Sequence, residues 1–179
     1  SNEYLQKHPE KRAEDINTAF ADPTIKAVMA TIGGNDQIRI LEYLDRDTIQ
    51  KNPKIFVGLS DNTNLHMYLW NLGIISYYGG NLMQQCAMQG QMHKYSRRYI
   101  QKALFEESIG DIVASPEWTD VDLDWADESL LTHSRPMEPN PGWVWQNADG
   151  KLIRGRLWGG CLEVLDQHLQ VSKYLSSVD

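Results

Sequence analysis

Only two cysteines, Cys86 and Cys161, occur in this sequence of 179 residues, and they form no close pair. A disulfide framework is therefore excluded, and the pair fits a reducing, cytoplasmic compartment or inert buried thiols. Positive charge is also scarce: 17 Lys and Arg stand against 24 Asp and Glu, a net charge of -7, without a long basic run. A nucleic-acid polymer is thus not expected as a partner, because the electrostatic footprint of such a binder is missing. No apolar run approaches the roughly 20 residues of a membrane-spanning helix, and the opening SNEYLQKHPEKRAED lacks the apolar centre of a signal peptide. No His, Cys and Asp cluster has metal-ligand spacing, so neither a metal nor a cofactor is expected. Internal repeats and low-complexity tracts are absent too.

What is present reads as strands and helices in alternation. Pro9 to Phe20 has helix-start chemistry, with proline in the first turn and Glu10, Glu14 and Asp15 early, where the helix dipole favours anions. IKAVMATIGG reads as an apolar strand ending in paired glycines. NDQIRILEYLD then places Ile38, Leu41 and Leu44 at helical spacing, and KIFVG forms the next strand. After Ser60, Leu65, Leu69 and Leu72 mark one face of a helix that Gly73 stops, and IISYYGG resembles a third strand. This order implies an α/β fold, a parallel sheet with flanking helices of Rossmann-like type. Ligands in such sheets collect at the carboxyl ends of the strands. Gly33-Gly34, Ser60 and Gly79-Gly80 all fall there.

Three stretches follow from the change in character along the chain: an α/β body over 1-107, an insert over 108-150, and a closing segment over 151-179. Tyr95 to Phe105 reads as one more helix. The insert carries Pro116, Pro136, Pro139 and Pro141 and many acidic residues without sustained periodicity. Five of the six tryptophans, Trp118, Trp125, Trp143, Trp145 and Trp158, lie between 118 and 158. Such aromatic loading argues for an ordered excursion, either a ligand-facing lid or a loop whose rings anchor it by burial.

Ser60 carries the sharpest chemistry. A strand that runs through one glycine into a serine and then a helix presents the hydroxyl at the sheet edge, near the positive end of the helix. Backbone N-H groups there can stabilise an oxyanion. The sequence GLSDN lacks the second glycine of G-x-S-x-G, so nucleophile and helix cap both stand as readings of Ser60. Gly33-Gly34 could bring a further N-H close, because glycine lets the backbone approach a ligand. A non-catalytic α/β domain, binding an anion or nucleotide at its glycine turns, is the competing class.

Four blocks in order, ATIGGND, NPKIFVGLSDNTNL, YYGGNLM and GRLWGGCLEVL, resemble the LD-carboxypeptidase family of serine peptidases, and the tryptophan-bearing insert is similar to its microcin immunity branch. The resemblance implies Ser60 as nucleophile and an oxyanion hole from the N-H groups of Asp61 and the Gly33-Gly34 turn. It also implies Trp118 as the ring that stacks on a nucleotide base, and a substrate contact at Cys161, where many relatives carry Asn. The substrate it implies is a peptidyl-nucleotide or a murein peptide, and the assembly a homodimer. In that family a Glu and a His that complete the triad follow the LWGG segment, and a strand precedes residue 1, so these residues read as an internal piece of a longer chain.

The five histidines are not expected to replace that base. His66 lies six residues beyond Ser60 on a helix that carries it away, and it reads as a packed or solvated helix residue. His8, His93, His133 and His168 are expected to be exposed. Glu163 reads as a helix-start carboxylate favoured by the dipole.

Overall fold

The computed structural model describes residues 2-146 and 150-171. The chain divides into two compact units, residues 1-82 with 159-179, and residues 83-158.

In the first unit, α1 (Asn2–Lys7) leads into α2 (Pro9–Ala21), which starts on its proline with Glu10 in the first turn. The helix buries Ala13 and Phe20 completely. Three strands, β1 (Ala27–Met29), β2 (Ile55–Gly58) and β3 (Tyr77–Tyr78), form a parallel sheet in that order. Val28 pairs with Phe56, and Gly58 pairs with Tyr78. The expected parallel α/β arrangement is therefore present, with crossovers between neighbouring strands.

The segment expected as a helix after the first strand is instead a 3-10 helix over Gln37–Tyr43. Its start is held by bonds to another part of the chain, since the N-H groups of Asp36 and Gln37 both donate to the Asp61 carboxylate. The bonds Asp36 O to Arg39 N and Leu41 O to Leu44 N have the tighter i to i+3 spacing. Ile40, Leu41 and Leu44 still reach the core, and Ile38 packs against it. α3 (Arg46–Lys51) begins where the Asp45 carboxylate accepts the Thr48 N-H at 3.0 Å.

α4 (Thr63–Asn71) buries Leu65 and Leu69 in the same core as Phe20, Ile49 and Phe56. It ends at Gly73, whose φ is 75°. There the N-H of Ile74 donates to Leu69 O and that of Gly73 to Trp70 O. This pair of bonds is a Schellman closure, which needs the left-handed conformation glycine adopts at little cost. α6 (Leu162–Val171) adds Val164 and Leu165 to the buried apolar residues.

A single turn of π-helix, Leu82–Cys86, runs across the boundary, and the second unit then carries α5 (Lys94–Phe105) and a two-stranded antiparallel ribbon of β4 (Glu117–Trp118) and β5 (Glu138–Pro139). The described part of the proline-rich stretch is ordered by main-chain and side-chain bonds. Gly90 N-H donates to Leu131 O, and Asn140 N-H to Pro116 O. Gln89, almost fully buried, donates to Leu123 O. Trp118, Trp125, Trp143, Trp145 and Trp158 are each partly covered, from 38% exposed at Trp158 to 75% at Trp145, so none of them is a fully buried anchor. Among the described residues no helix is long and apolar enough to cross a membrane.

Candidate active site

The site is built where β2 gives way to α4. Leu59 continues the strand in extended conformation, at φ -147°. Ser60 then turns the chain with a φ of 59°, the only positive φ of a non-glycine among the described residues. A left-handed serine costs on the order of 1–2 kcal/mol, and such strain persists only where surrounding structure fixes it. The 3-10 turn Ser60–Asn62 runs directly into α4.

A buried polar network fixes this turn. Asp61, Asn62, Thr63, Asn64 and Gln37 are all buried. One Asp61 carboxylate oxygen accepts the N-H groups of Asp36 and Gln37 at 2.9 and 2.8 Å. The other accepts from the Asn64 amide at 2.8 Å. Gln37 donates to the side-chain oxygen of Asn62 and accepts from Leu65 N-H. The Asn62 amide donates to Leu59 O at 2.8 Å and to Ile32 O at 3.2 Å. Buried polar groups are costly unless paired, so this network specifies one geometry for the turn. Gly58 is required beneath it, since a β-carbon there would lie 2.8 Å from that of Asn62.

Gly33 and Gly34 are brought against the turn. A β-carbon on Gly33 would sit 2.9 Å from Ser60 Cβ and 3.1 Å from its Oγ, and one on Gly34 3.1 Å from the Asp61 carboxylate. The backbone of this loop thus stands at contact distance from the hydroxyl because no side chain intervenes. Asp61 contributes a first-turn N-H, a donor that helical pairing leaves over. The Ser60 N-H donates to the Tyr78 phenol oxygen at 3.0 Å.

Cys161 reaches the same turn from the far end of the sequence. Its N-H donates to the Thr63 hydroxyl at 2.9 Å, and that hydroxyl donates to Ser60 O at 2.7 Å. Gly160 makes the approach feasible, since a β-carbon there would overlap Thr63 at 2.5 Å. The Cys161 thiol points to Glu163 and donates to its carboxylate at 2.9 Å, which holds that carboxyl below its ordinary pKa. Glu163 lies in the first turn of α6, as expected. Both thiols are free; Cys86 is exposed and Cys161 half-buried, so neither is an inert core thiol.

Trp118 belongs to the other unit. The residue is 44% exposed and lines a cavity of about 840 Å³ together with Trp125, Ser96, Ser134 and Arg135.

The histidines divide differently from expectation. His66 is buried, with Nδ1 bonded to Ser76 Oγ at 2.7 Å and Nε2 to Gly58 O at 3.1 Å, and burial lowers its pKa. It packs between Phe56 and Tyr78. His133 is exposed, whereas His8 and His93 are half-buried. His168, expected in solvent, is buried and bonds Asn64 Oδ1 at 2.7 Å through Nε2. The amphipathic spacing of α6 could have found it, because His168 follows Val164 and Leu165 by four and three residues, on the face that packs inward. The Tyr78 contact and the Gln37 and Asp36 bonds carry no local signal, since they join residues 18 to 25 positions apart. Among the described residues, no group of three His, Cys, Asp or Glu is arranged to hold a metal ion.

Comparison with known proteins adds relatives to this geometry. Residues 1–79 match the LD-carboxypeptidase N-terminal domain. The microcin C7 self-immunity protein MccF of Escherichia coli is 30% identical over 158 residues, which cover 87% of this chain and 45% of that protein. A crystal structure of an MccF-like protein from Streptococcus pneumoniae in complex with AMP superposes with a TM-score of 0.83 at 33% identity, covering 96% of this chain and 50% of the other. MccF in complex with aspartyl sulfamoyl adenosine superposes at 0.62 with 27% identity, covering 74% of this chain and 39% of that one. The chain spans about half the length of the curated relatives it matches, 48% of one and 45% of MccF.

Proposed function

This chain belongs to the LD-carboxypeptidase family, and from that premise we propose that the intact protein is a serine carboxypeptidase that opens an amide bond at the C-terminal end of its substrate through an acyl-enzyme on Ser60. The observation that carries the reading is the strained Ser60, at φ 59° at the end of β2, with the Gly33 loop against its hydroxyl. Strain of this kind gathers where a reacting group must be held in one orientation.

In the proposed reaction Ser60 Oγ forms a bond to the carbonyl carbon while the carbonyl electron pair moves to oxygen. The Oγ proton passes to a histidine base, oriented by a glutamate, as the family resemblance implies. The N-H of Asp61 and those of the Gly33-Gly34 turn meet the oxyanion. Collapse then breaks the C-N bond, the histidine returns the proton to the leaving amine, and water releases the acyl group by the same route. None of the five histidines in this chain is assigned the base: His66 is held by Gly58 and Ser76, and His168 by Asn64.

The substrate class we favour is a peptidyl-nucleotide, with a murein peptide second. Support comes from the AMP and aspartyl sulfamoyl adenosine complexes of the two superposed structures and from the exposed Trp118 ring beside its cavity. Trp118 is proposed to stack on the base and Cys161 to contact the substrate. Hydrolysis of a peptidyl-adenylate amide by the intact protein and by its Ser60→Ala variant tests the reading. Loss of a nucleophile removes several orders of magnitude in kcat; retention of most activity would contradict it.

A further inference from the structure

We propose that the Tyr78 hydroxyl is a catalytic hydrogen-bond donor of the Ser60 site, directed at the carbonyl oxygen as it becomes an oxyanion. The inference rests on Ser60 being the nucleophile. β3 pairs with β2 so that Tyr78 stands beside Gly58, two residues before Ser60. The phenol reaches past the end of β2 and accepts the Ser60 N-H at 3.0 Å. An N-H next to a nucleophile is a natural oxyanion donor, but here it is already spent on the phenol. Accepting that bond polarises the phenol and orients its own O-H away from Ser60 N. Among the described residues no acceptor for that proton is found, and Tyr78 is 48% exposed. A free donor therefore stands 3.0 Å from the Ser60 backbone nitrogen, in series with that N-H.

The ring is mounted firmly enough to serve. It packs on His66 with ring centroids 5.5 Å apart. His66 is itself fixed at both nitrogens, by Ser76 Oγ and Gly58 O. Preorganised donors of this kind act because they need no reorganisation when charge develops. A donor aimed at charge that exists only in the transition state raises kcat, whereas one that binds the ground state equally well changes KM.

The test compares Tyr78→Phe with wild type in the intact protein, using steady-state hydrolysis of a peptidyl-adenylate amide, with thermal unfolding in parallel and Ser60→Ala as reference. Phenylalanine keeps the ring on His66 and removes only the hydroxyl. The expected result is a kcat about 10²-fold lower, KM within about twofold and an almost unchanged Tm, against abolition of turnover in Ser60→Ala. An unchanged kcat, a higher KM with kcat intact, or a fall in kcat that appears only with a large drop in Tm would each overturn the proposal. If Ser60→Ala itself keeps its activity, the nucleophile reading fails instead, and the assignment of Tyr78 falls with it.

Discussion

Gly33 and Ser60 touch across the end of the sheet so closely that a β-carbon on the glycine would lie 2.9 Å from that of the serine. Ser60 cannot give way freely, because its backbone is already left-handed and its neighbours Asp61 and Asn62 are tied into buried hydrogen bonds. Gly33→Ala should therefore displace either the glycine loop or the hydroxyl. We expect a stability loss of about 1–3 kcal/mol, as for overpacked sites, and at least a tenfold fall in kcat/KM of the intact protein. Denaturant unfolding and steady-state kinetics measure the two. A variant with wild-type activity would show that the loop and the serine are not coupled.

The left-handed Ser60 makes a prediction about stability that opposes function. Ser60→Gly relieves the steric cost of a positive φ, while Ser60→Ala keeps it. The glycine variant should be more stable than the alanine variant by about 1 kcal/mol, after allowing for glycine's greater unfolded freedom. Both should be inactive. Equal stabilities in urea unfolding would remove the case for strain at this position.

His66 predicts a pH dependence. Its pKa is lowered in the folded protein by burial, with only the Gly58 carbonyl bond acting the other way. The unfolded chain therefore binds the proton more readily than the folded one. The contribution of neutral His66 is fully present above the ordinary histidine value of about 6.5 and is lost progressively as pH falls from there through the folded pKa. The slope of stability against pH below 6.5 should be steeper in wild type than in His66→Gln, by at most about 1.4 kcal/mol per pH unit. Parallel slopes would mean that the imidazole is already accommodated as a cation.

Trp118 separates the two substrate classes. If it stacks on a nucleobase, Trp118→Ala should weaken processing of a peptidyl-adenylate amide by roughly 1–3 kcal/mol in kcat/KM and leave a murein-type peptide little changed. Equal losses on both substrates would assign the ring to structure.

Much of this architecture was legible in the sequence, and the reasons differ by element. The run Ile55-Phe56-Val57 and the leucines at 65, 69 and 72 obey periods set by strand and helix geometry, so β2, α4 and the stop at Gly73 were readable locally. The strand-to-helix position of Ser60 was readable for the same reason. The 3-10 form of Gln37–Tyr43 was not, because bonds from Asp61, 24 and 25 residues on, fix its start. The burial of His168 was missed because polarity was weighed above its place on the inward face of α6. The partial exposure of the tryptophans, from 38% at Trp158 to 75% at Trp145, was not legible, because ring size alone favours neither a lid nor an anchor.

Acylation of Ser60 is the step on which the proposed function turns. It is tested most directly by treating the intact protein with a peptidyl phosphonate, which attaches covalently to an activated serine, and mapping the adduct by peptide mass spectrometry. One adduct is expected, on the peptide containing Ser60, and none in Ser60→Ala. An adduct on another residue, or no adduct in a preparation that hydrolyses its substrate, would contradict it.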